Sequence, residues 1–189
     1  RPGLHRHHVV IVGAGFGGLA AARALADAPV DVTIVDAHNH HTFQPLLYQV
    51  ATAGLGGDDV TYATRGIFHR QANASVRMGR GVGGDLDEHR LDLADGSSLT
   101  YDHLVLAAGA VSDTFGIPGV AQHAFGLKSL RDALAVRAQV LSCFEEADAR
   151  PELIEDGLIN VVITGGGPTG VELAGGMAEL IDRVLAHDF

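Results

Sequence analysis

The sequence predicts an α/β fold: a doubly wound, Rossmann-like domain with a β-meander insertion, followed by the first strand and helix of a second Rossmann-like domain. Three observations support this prediction: a composition weighted toward Ala, Val, Leu and Gly, apolar runs of strand length, and two glycine-rich turns that each join a strand to a helix. Of the 189 residues, 47% are apolar and 19% charged, which suffices for a core and excludes a disordered chain. Aromatic residues make up only 5%, which fits close-packed layers better than an aromatic-cored β-sandwich.

Net charge and cysteine content exclude further classes of protein. Lys and Arg number 13 against 23 Asp and Glu, a formal net charge of −10, so we expect no nucleic-acid partner, because such a chain repels polyphosphate. Cys143 is the only cysteine, which rules out an internal disulfide and a dithiol redox pair within these residues. No apolar run approaches the roughly 20 residues that span a bilayer.

The first 36 residues predict one complete strand–turn–helix–strand unit. Residues 9–12 are continuously apolar, as in a buried parallel strand, and the Ala- and Leu-rich residues 19–28 favour a helix. A second apolar strand, residues 32–35, closes on Asp36. The chain that follows is expected to contain an irregular stretch, a short helix and a third strand, at residues 38–59, 61–70 and 75–78.

The middle of the chain changes to the period of two that is typical of half-buried strands. Residues 90–93 and 98–101 alternate on either side of Asp95-Gly96, which predicts a β-hairpin. The apolar run at residues 104–108 predicts another buried strand, which ends at Gly109.

The remaining elements are expected to include the start of a second domain. Ser129 and Asp132 have the spacing of a capping box, which predicts a helix that ends near residue 147. A charged connector follows, and then an apolar strand at residues 159–164 and a helix to about residue 187. The predicted division is therefore residues 1–147, most of a first domain, and residues 148–189, the truncated start of a second.

The first glycine-rich turn has the spacing of a dinucleotide-binding loop. Gly13 permits a tight turn, Gly15 allows the backbone to approach a pyrophosphate, and Gly18 allows the helix to pack closely on the strand. The free N–H groups and the dipole of the helix N-terminus then favour phosphates. Asp36 lies 36 − 13 = 23 positions after the first glycine, where its carboxylate can accept a hydrogen bond from a ribose hydroxyl. Together these features favour a dinucleotide site over a purely structural turn.

The second glycine-rich turn repeats this spacing at Gly165, Gly167 and Gly170, starting 165 − 13 = 152 positions after the first. Pro168 fits the first helical turn, because the N–H that it lacks has no helical partner there. Two such turns predict two dinucleotides, for which hydride passage between a nicotinamide and a flavin is the most economical chemistry. The alternative is a duplicated structural turn.

Four segments give the chain a resemblance to a known family. They are VIVGAGFGGL, FQPLLYQVAT, YDHLVLAAGA and GGPTGVELA, at residues 10–19, 43–52, 101–110 and 166–174. Together they resemble type II NADH dehydrogenases, the non-proton-pumping NADH:quinone oxidoreductases of the two-dinucleotide-binding flavoprotein superfamily. The resemblance extends over essentially the whole chain but covers only about the N-terminal half of such an enzyme, so we expect these residues to come from a longer protein.

The resemblance implies FAD as the cofactor of the first domain and NADH as the substrate of the second. It places the adenosine ribose of FAD on Asp36 and the adenine on the backbone of Val82. The implied catalytic residues are Gln44 and Pro45, near the isoalloxazine edge, and Glu172, where nicotinamide, flavin and quinone meet. The remaining implied contacts are to FAD from Gly13, Gly15, Phe16, Gly17, Gly18, Ala108 and Gly109, and to the NADH pyrophosphate from Gly165, Gly167, Pro168, Thr169 and Gly170.

The implied activity is that of a respiratory-chain oxidoreductase in which hydride passes from NADH to FAD and two electrons then pass to a membrane quinone, without proton pumping. Such an enzyme is cytoplasmic and peripheral on the inner face of the cell membrane, held by a C-terminal part outside these residues, and its family is compatible with a homodimer. Disulfide reductases are excluded, because residues 41–48 lack their cysteine pair. A ferredoxin-type or sulfide:quinone-type reductase and an NADH-binding flavoprotein redox sensor with slow turnover remain as alternatives.

Several candidate residues also have ordinary structural explanations. Glu172 follows a glycine turn at a helix N-terminus, where an acid is favoured electrostatically. His38, His40 and His41 have no second cluster of ligands at metal spacing, so we expect a polar loop beside the flavin and no metal site. Cys143 is expected to be a small buried hydrophobic residue within its helix.

Overall fold

The structure is a computed structural model that describes residues 6–189 and groups the chain into two compact units. The first unit comprises Arg1–His41 and Thr61–Ala110, and the second comprises Thr42–Val60 and Val111–Phe189. The two units therefore alternate along the chain. The predicted division at residue 147, between a first domain and the start of a second, stays a prediction.

The strands of the described residues all lie in the first two thirds of the chain. They are β1 His7–Val12, β2 Val30–Asp36, β3 His40–Thr42, β4 Thr61–Ala63, β5 Ala74–Met78, β6 Gly81–Asp85, β7 Arg90–Leu93, β8 Ser98–Thr100 and β9 His103–Leu106. The α-helices are α1 Phe16–Ala24, α2 Leu47–Ala51, α3 Thr64–Phe68, α4 Val120–His123, α5 Leu130–Ala149, α6 Pro168–Leu180 and α7 Ala186–Asp188. Short 3₁₀ turns occupy Gln44–Leu46, Gly57–Asp59 and Pro151–Ile154, and a π-helical turn, Ile181–Leu185, joins α6 to α7. Within residues 6–189, each helix is too short or too polar to cross a bilayer.

The first unit is built on a parallel sheet with the strand order β5-β2-β1-β9. The central strand β1 pairs Ile11 with Ile34 on one side and with Val105 on the other. Both faces of a parallel sheet must be covered, which explains the apolar run of residues 9–12 at the centre of the sheet. Leu19 of α1 and Phe68 of α3 cover one face in a core with Ile11 and Ile34.

A three-stranded antiparallel sheet, β6-β7-β8, covers the opposite face of the parallel sheet. Leu91, Leu93 and Tyr101 form a buried cluster there with Val10 and Val35. The period-two pattern of this segment follows from its position, because one face of the insertion packs on the sheet and the other faces solvent. These two layers confirm the predicted Rossmann-like α/β fold with a β-meander insertion.

The second unit is helical. Helix α2 packs against α5 and α6, with Leu47, Val50 and Ala133 buried and Leu173 packed against them. A further cluster joins Phe144 of α5 to residues of α6 and of the π-helical turn. Because α2 packs against two longer helices, these contacts also fix the 3₁₀ turn Gln44–Leu46 that leads into it.

The capping box at the start of α5 is confirmed. The Ser129 hydroxyl accepts from the Asp132 N–H at 3.2 Å, and the Asp132 carboxylate accepts from the Ser129 N–H at 2.8 Å. Burial raises the pKa of Asp132, but hydrogen bonds from the Lys128 N–H and from Ser129 outweigh it, so the pKa lies below its ordinary value.

Residues 159–164 differ from the strand that the sequence predicts. They carry no strand pairing, and Val162 is 84% exposed. A parallel strand exists only when neighbouring strands supply its hydrogen bonds, and none of the described strands pairs with this segment. The apolar sequence of residues 159–164 is compatible with a buried strand, but a strand forms only where another strand pairs with it.

Two helix boundaries also differ from the prediction. The helix expected at residues 61–70 begins with Thr61–Ala63 as strand β4, paired with β3, and only Thr64–Phe68 is helical. Thr61 and Tyr62 favour a strand by propensity, and the available edge of β3 provides the partner. Helix α1 begins at Phe16, three residues earlier than expected, because the glycine turn leads directly into it.

Candidate functional site

Gly13 directly follows β1 and turns the chain with a φ of +103°. A Cβ at this position would lie 2.2 Å from the carbonyl oxygen of Ala107, so both the backbone angle and the space require glycine. The turn lies where the parallel strands end, because the Gly13 N–H donates to Val35 O at 2.7 Å and the Ala107 N–H donates to Val12 O at 2.8 Å. The carboxyl edge of such a sheet is where ligands bind.

Gly18 and Gly15 serve the same loop in different ways. A Cβ on Gly18 would lie 1.8 Å from the carbonyl oxygen of Gly13, so only glycine lets α1 begin directly behind the turn. Gly15 immediately precedes α1, and a Cβ there would have no atom within 4 Å. This open space can accept an anion, because the first backbone N–H groups of a helix lack helical partners.

The other predicted FAD contacts of this unit are exposed or sterically tolerant. Phe16 begins α1 with 49% of its surface exposed, and a Cβ on Gly17 would make only an ordinary 3.7 Å contact. Val82 is 61% exposed in β6. Ala108 and Gly109 are exposed directly after β9, and Gly109 has a φ of +76°. Solvent can therefore reach each of these positions, as a ligand contact requires.

Asp36 ends β2 beside the first loop. Its carboxylate accepts from the Ala14 N–H at 2.6 Å and from the His38 N–H at 2.7 Å, and the side chain is only 18% exposed. Each carboxylate oxygen has a second lone pair. Asp36 can therefore accept a ribose hydroxyl while it fixes the backbone of the loop.

His41 occupies a different environment from the polar loop that the sequence predicts. It is 7% exposed, and its Nδ1 lies 2.8 Å from the carbonyl oxygen of Ala14. A carbonyl oxygen can only accept, so Nδ1 carries the proton. The sequence contains one signal of this role: successive side chains of a strand point to opposite faces, so one of the adjacent residues His40 and His41 must face inward.

The second loop has the same internal geometry as the first. Gly165 has a φ of +104°, and a Cβ on Gly170 would lie 2.0 Å from the Gly165 carbonyl oxygen. Gly167 immediately precedes α6 with no atom within 4 Å of a Cβ, and Pro168 and Thr169 are the first residues of the helix. The loop takes this conformation although residues 159–164 are unpaired, so its local sequence determines its shape.

A cavity of about 1040 Å³ lies beside the second loop, within the second unit. The predicted NADH contacts Gly165, Gly167, Pro168, Thr169 and Gly170 all line it, together with residues of α5. Its volume is close to the upper end of the range for small-molecule sites, which is about 300–1,000 Å³. The structure thus brings the five predicted residues together around one open space.

Gln44, Pro45 and Glu172 are all exposed. Gln44 and Pro45 lie in the 3₁₀ turn that leads into α2, and α2 packs against α6, the helix that carries Glu172. Glu172 is the fifth residue of α6, beyond its first turn, so the capping explanation is weak, because the dipole effect is limited to that turn.

The remaining candidates are Cys143 and the histidines. Cys143 is half-buried rather than fully buried, and its Sγ accepts from Gln139 Nε2 at 3.3 Å. His38 is exposed, with its Nδ1 3.5 Å from Asp36 Oδ1. Among the residues that the structure describes, no three His, Cys, Asp or Glu side chains are grouped as metal ligands would be.

Two glycine loops of the same geometry, each at an open helix N-terminus, are typical of dinucleotide-binding α/β proteins. The family model for pyridine nucleotide-disulphide oxidoreductases matches residues 7–187. The chain belongs to this family. The match includes both loops and all the residues between them.

Two proteins of Mycobacterium tuberculosis (strain ATCC 25618 / H37Rv) are similar to the chain. The type II NADH:quinone oxidoreductase NdhA is 44% identical over 97% of this chain and 40% of its own length. The type II NADH:quinone oxidoreductase Ndh is 41% identical over 97% of this chain and 41% of its own length. The resemblance inferred from the four sequence segments is confirmed, and the chain spans about two fifths of the curated relatives it matches.

A solved structure of NDH2 from Plasmodium falciparum in complex with NADH has the same fold. It matches with a TM-score of 0.85 and 24% identity, over 98% of this chain and 39% of that chain. At this level of identity the likeness concerns the fold alone, and it agrees with the architecture described above.

Proposed function

We propose that this chain is the N-terminal part of an FAD-dependent type II NADH:quinone oxidoreductase that does not pump protons. The observation that carries the proposal is the first loop, where Gly15 leaves open space at the N-terminus of α1 and Asp36 presents a carboxylate beside it. The names of the two mycobacterial relatives support the choice of NADH and a quinone as substrates.

The residues of the first loop fit an adenine dinucleotide. Backbone N–H groups at Gly15, Phe16 and Gly17 can bind the pyrophosphate, because the first N–H groups of a helix lack helical partners. Asp36 can accept from the ribose, and Val82 and Gly109 are exposed in the same unit. Bound FAD would supply the redox chemistry, which is acceptance of a hydride from NADH and delivery of two electrons to a quinone.

The second loop would hold the pyrophosphate of NADH. Pro168 has no N–H, so the backbone donors available at this helix N-terminus are those of Gly167, Thr169 and Gly170, and the Thr169 hydroxyl can add a fourth. Glu172 lies on the same helix, where its carboxyl group would provide a proton, because reduction of a quinone consumes two protons. Gln44 and Pro45 would line the flavin edge.

A quinone acceptor dissolves in the bilayer, whereas NADH is dissolved in water. The full-length protein would therefore work as a peripheral protein on the inner, cytoplasmic face of the cell membrane, within the respiratory chain. A homodimer stays a prediction.

The test uses the full-length protein. We expect it to purify with a flavin that chromatography after denaturation identifies as FAD, and to reduce a quinone at the expense of NADH. Gly15→Val fills the open space at the loop and should abolish FAD binding, whereas Gly66→Ala, a substitution in α3 that meets only ordinary contacts, should leave it unchanged. Protein that cannot be reconstituted with FAD, that passes electrons from NADH to a ferredoxin and not to quinones, or that reduces quinones with sulfide and not with NADH would overturn the proposal.

A further inference from the structure

Ala14 is held at both ends by side chains, those of Asp36 and of the buried His41. The Asp36 carboxylate accepts from its N–H at 2.6 Å, and His41 Nδ1 donates to its carbonyl oxygen at 2.8 Å. Ala14 is 2% exposed and His41 is 7% exposed, so water does not compete for the His41 bond. The peptide groups on both sides of Ala14 therefore have one preferred orientation.

The bond from His41 determines the direction of the next N–H group. The peptide between Ala14 and Gly15 is planar and trans, so its N–H points opposite to its carbonyl. With the carbonyl turned toward His41, the Gly15 N–H is directed away from His41. Gly15 is also the residue of the loop at which a Cβ would meet no atom within 4 Å.

The His41 ring is itself restrained. It lies in strand β3, which pairs with β4, and the chain beside it is tied by the Thr64 N–H donating to Asn39 O at 3.0 Å. The ring of Phe16 packs against it edge-on, with ring centroids 5.2 Å apart. Because the His41 ring has little freedom, little entropy is lost when its Nδ1 bonds the Ala14 carbonyl oxygen, and the ring can set the orientation of that carbonyl group.

We propose that His41 is a positioning residue of the first loop, which orients the Gly15 N–H for the pyrophosphate of the bound dinucleotide. The inference rests on the proposed function, since it requires a dinucleotide in this loop. His41 acts through the backbone of Ala14 and contacts neither the phosphates nor the reacting atoms. Its contribution is therefore to affinity for the cofactor.

The test compares three variants of the full-length protein after removal of the flavin. His41→Asn retains an N–H donor on Cγ, at the place of Nδ1, whereas His41→Leu has a similar shape without a donor. Tyr101→Ala is a matched control for lost stability, because Tyr101 is buried at the other end of β1, where the Asp102 N–H donates to His8 O. The measurements are the Kd for FAD, the melting temperature without FAD, and the ³¹P spectrum of the bound pyrophosphate.

We expect His41→Leu to weaken FAD binding about tenfold and to shift the ³¹P resonances, while His41→Asn stays within about threefold of the wild type. Tyr101→Ala should lower the melting temperature without moving the ³¹P resonances. If the Leu variant is insoluble, His41→Gln, whose donor is displaced by one methylene, should bind FAD more weakly than His41→Asn.

The inference is overturned if the wild type and His41→Leu bind FAD with equal affinity. It is also overturned if His41→Leu and Tyr101→Ala have the same melting temperature and lose the same affinity for FAD. Equal affinities of the Gln and Asn variants also overturn it. A wild type that binds no FAD is a different result, because it removes the proposed function and the inference with it.

Discussion

Gly13 and Gly165 occupy the same position in the two loops and have almost the same φ, +103° and +104°. Their surroundings differ. A Cβ on Gly13 would collide with the carbonyl oxygen of Ala107, whereas a Cβ on Gly165 would have no atom within 4 Å. The backbone angle thus requires glycine at both positions, and the neighbouring strand adds a second requirement at Gly13.

We expect Gly13→Ala to lower the free energy of unfolding more than Gly165→Ala. Both variants carry the strain of a positive φ, about 1–3 kcal/mol, but only Gly13→Ala must also displace the chain at Ala107. Urea denaturation measures the difference, and Gly96→Ala, with a φ of +83° and open space, is the control for strain alone. Equal losses at Gly13 and Gly165 would contradict the steric argument.

Glu172 is exposed and lies beyond the first turn of α6, so its charge should matter little for stability. We expect Glu172→Gln in the full-length protein to change the free energy of unfolding by less than about 0.5 kcal/mol. Reoxidation of the flavin by quinone should slow about tenfold, because that step consumes protons and hydride transfer does not.

Stopped-flow absorbance separates the two half-reactions of this variant, and Glu179→Gln provides a control on the same helix. Glu179 is exposed and lies 3.7 Å from Arg183 in an i,i+4 pair, which contributes little to stability. Unchanged rates in both half-reactions of Glu172→Gln would remove this residue from the site.

At the level of elements, the approach of α6 to α2 depends on Gly176. A Cβ there would lie 3.0 Å from Thr52 Oγ1 and 3.2 Å from its Cγ2. Thr52 cannot rotate freely, because its hydroxyl donates to Tyr48 O at 2.9 Å. The adjacent Gly175 has no atom within 4 Å of a Cβ, so the two glycines differ only in what they face.

We expect Gly175→Ala to stabilise the protein by up to about 1 kcal/mol, through helix propensity. Gly176→Ala has the same gain in propensity but must push α2 away, so it should be less stable than Gly175→Ala by at least about 1 kcal/mol. Thr52→Ala should restore part of the loss, and chemical denaturation of the double variant measures the coupling. If the two alanine variants are equally stable, α6 does not depend on this close approach.

At the level of the whole molecule, the two strand–turn–helix segments have different surroundings. β1 is paired on both sides by β2 and β9, whereas residues 159–164 have no paired strand among the described residues. Val10 and Ile11 are fully buried, and Val162 is 84% exposed. Similar apolar sequences thus have opposite environments.

Hydrogen exchange should report this contrast directly. We expect the amides of residues 161–163 to exchange at least a hundredfold faster than those of residues 9–11, because only the latter are in a ladder. Mass spectrometry of peptides that cover the two segments makes the comparison within one sample. In a protein as long as the relatives, we expect the amides of residues 161–163 to be protected from exchange. In the 189-residue chain, protection of the same amides would contradict the unpaired state of this segment.

Much of the fold and of the candidate site can be predicted from the sequence. The glycine spacing and the capping box of Ser129 and Asp132 depend on residues close together in the chain, and each has the predicted local geometry. Asp36 lies at the end of the predicted second strand and reaches Ala14 across 22 residues. The exposed candidates Gln44, Val82 and Glu172 are different, since their roles depend on ligands and stay predictions. The sequence of residues 159–164 predicts a strand but cannot show whether that strand is paired, because pairing also depends on a second segment.

The sequence by itself determined the conformation of both loops, because a positive φ and a collision between residues five apart are local constraints that only glycine satisfies. Only the tertiary structure decided which apolar segment became a strand and which histidine became buried. Both depend on contacts between distant parts of the chain: β2 and β9 flank β1, and His41 reaches Ala14 across 27 residues. Such contacts form when the whole sheet assembles, and no short stretch of sequence encodes them alone.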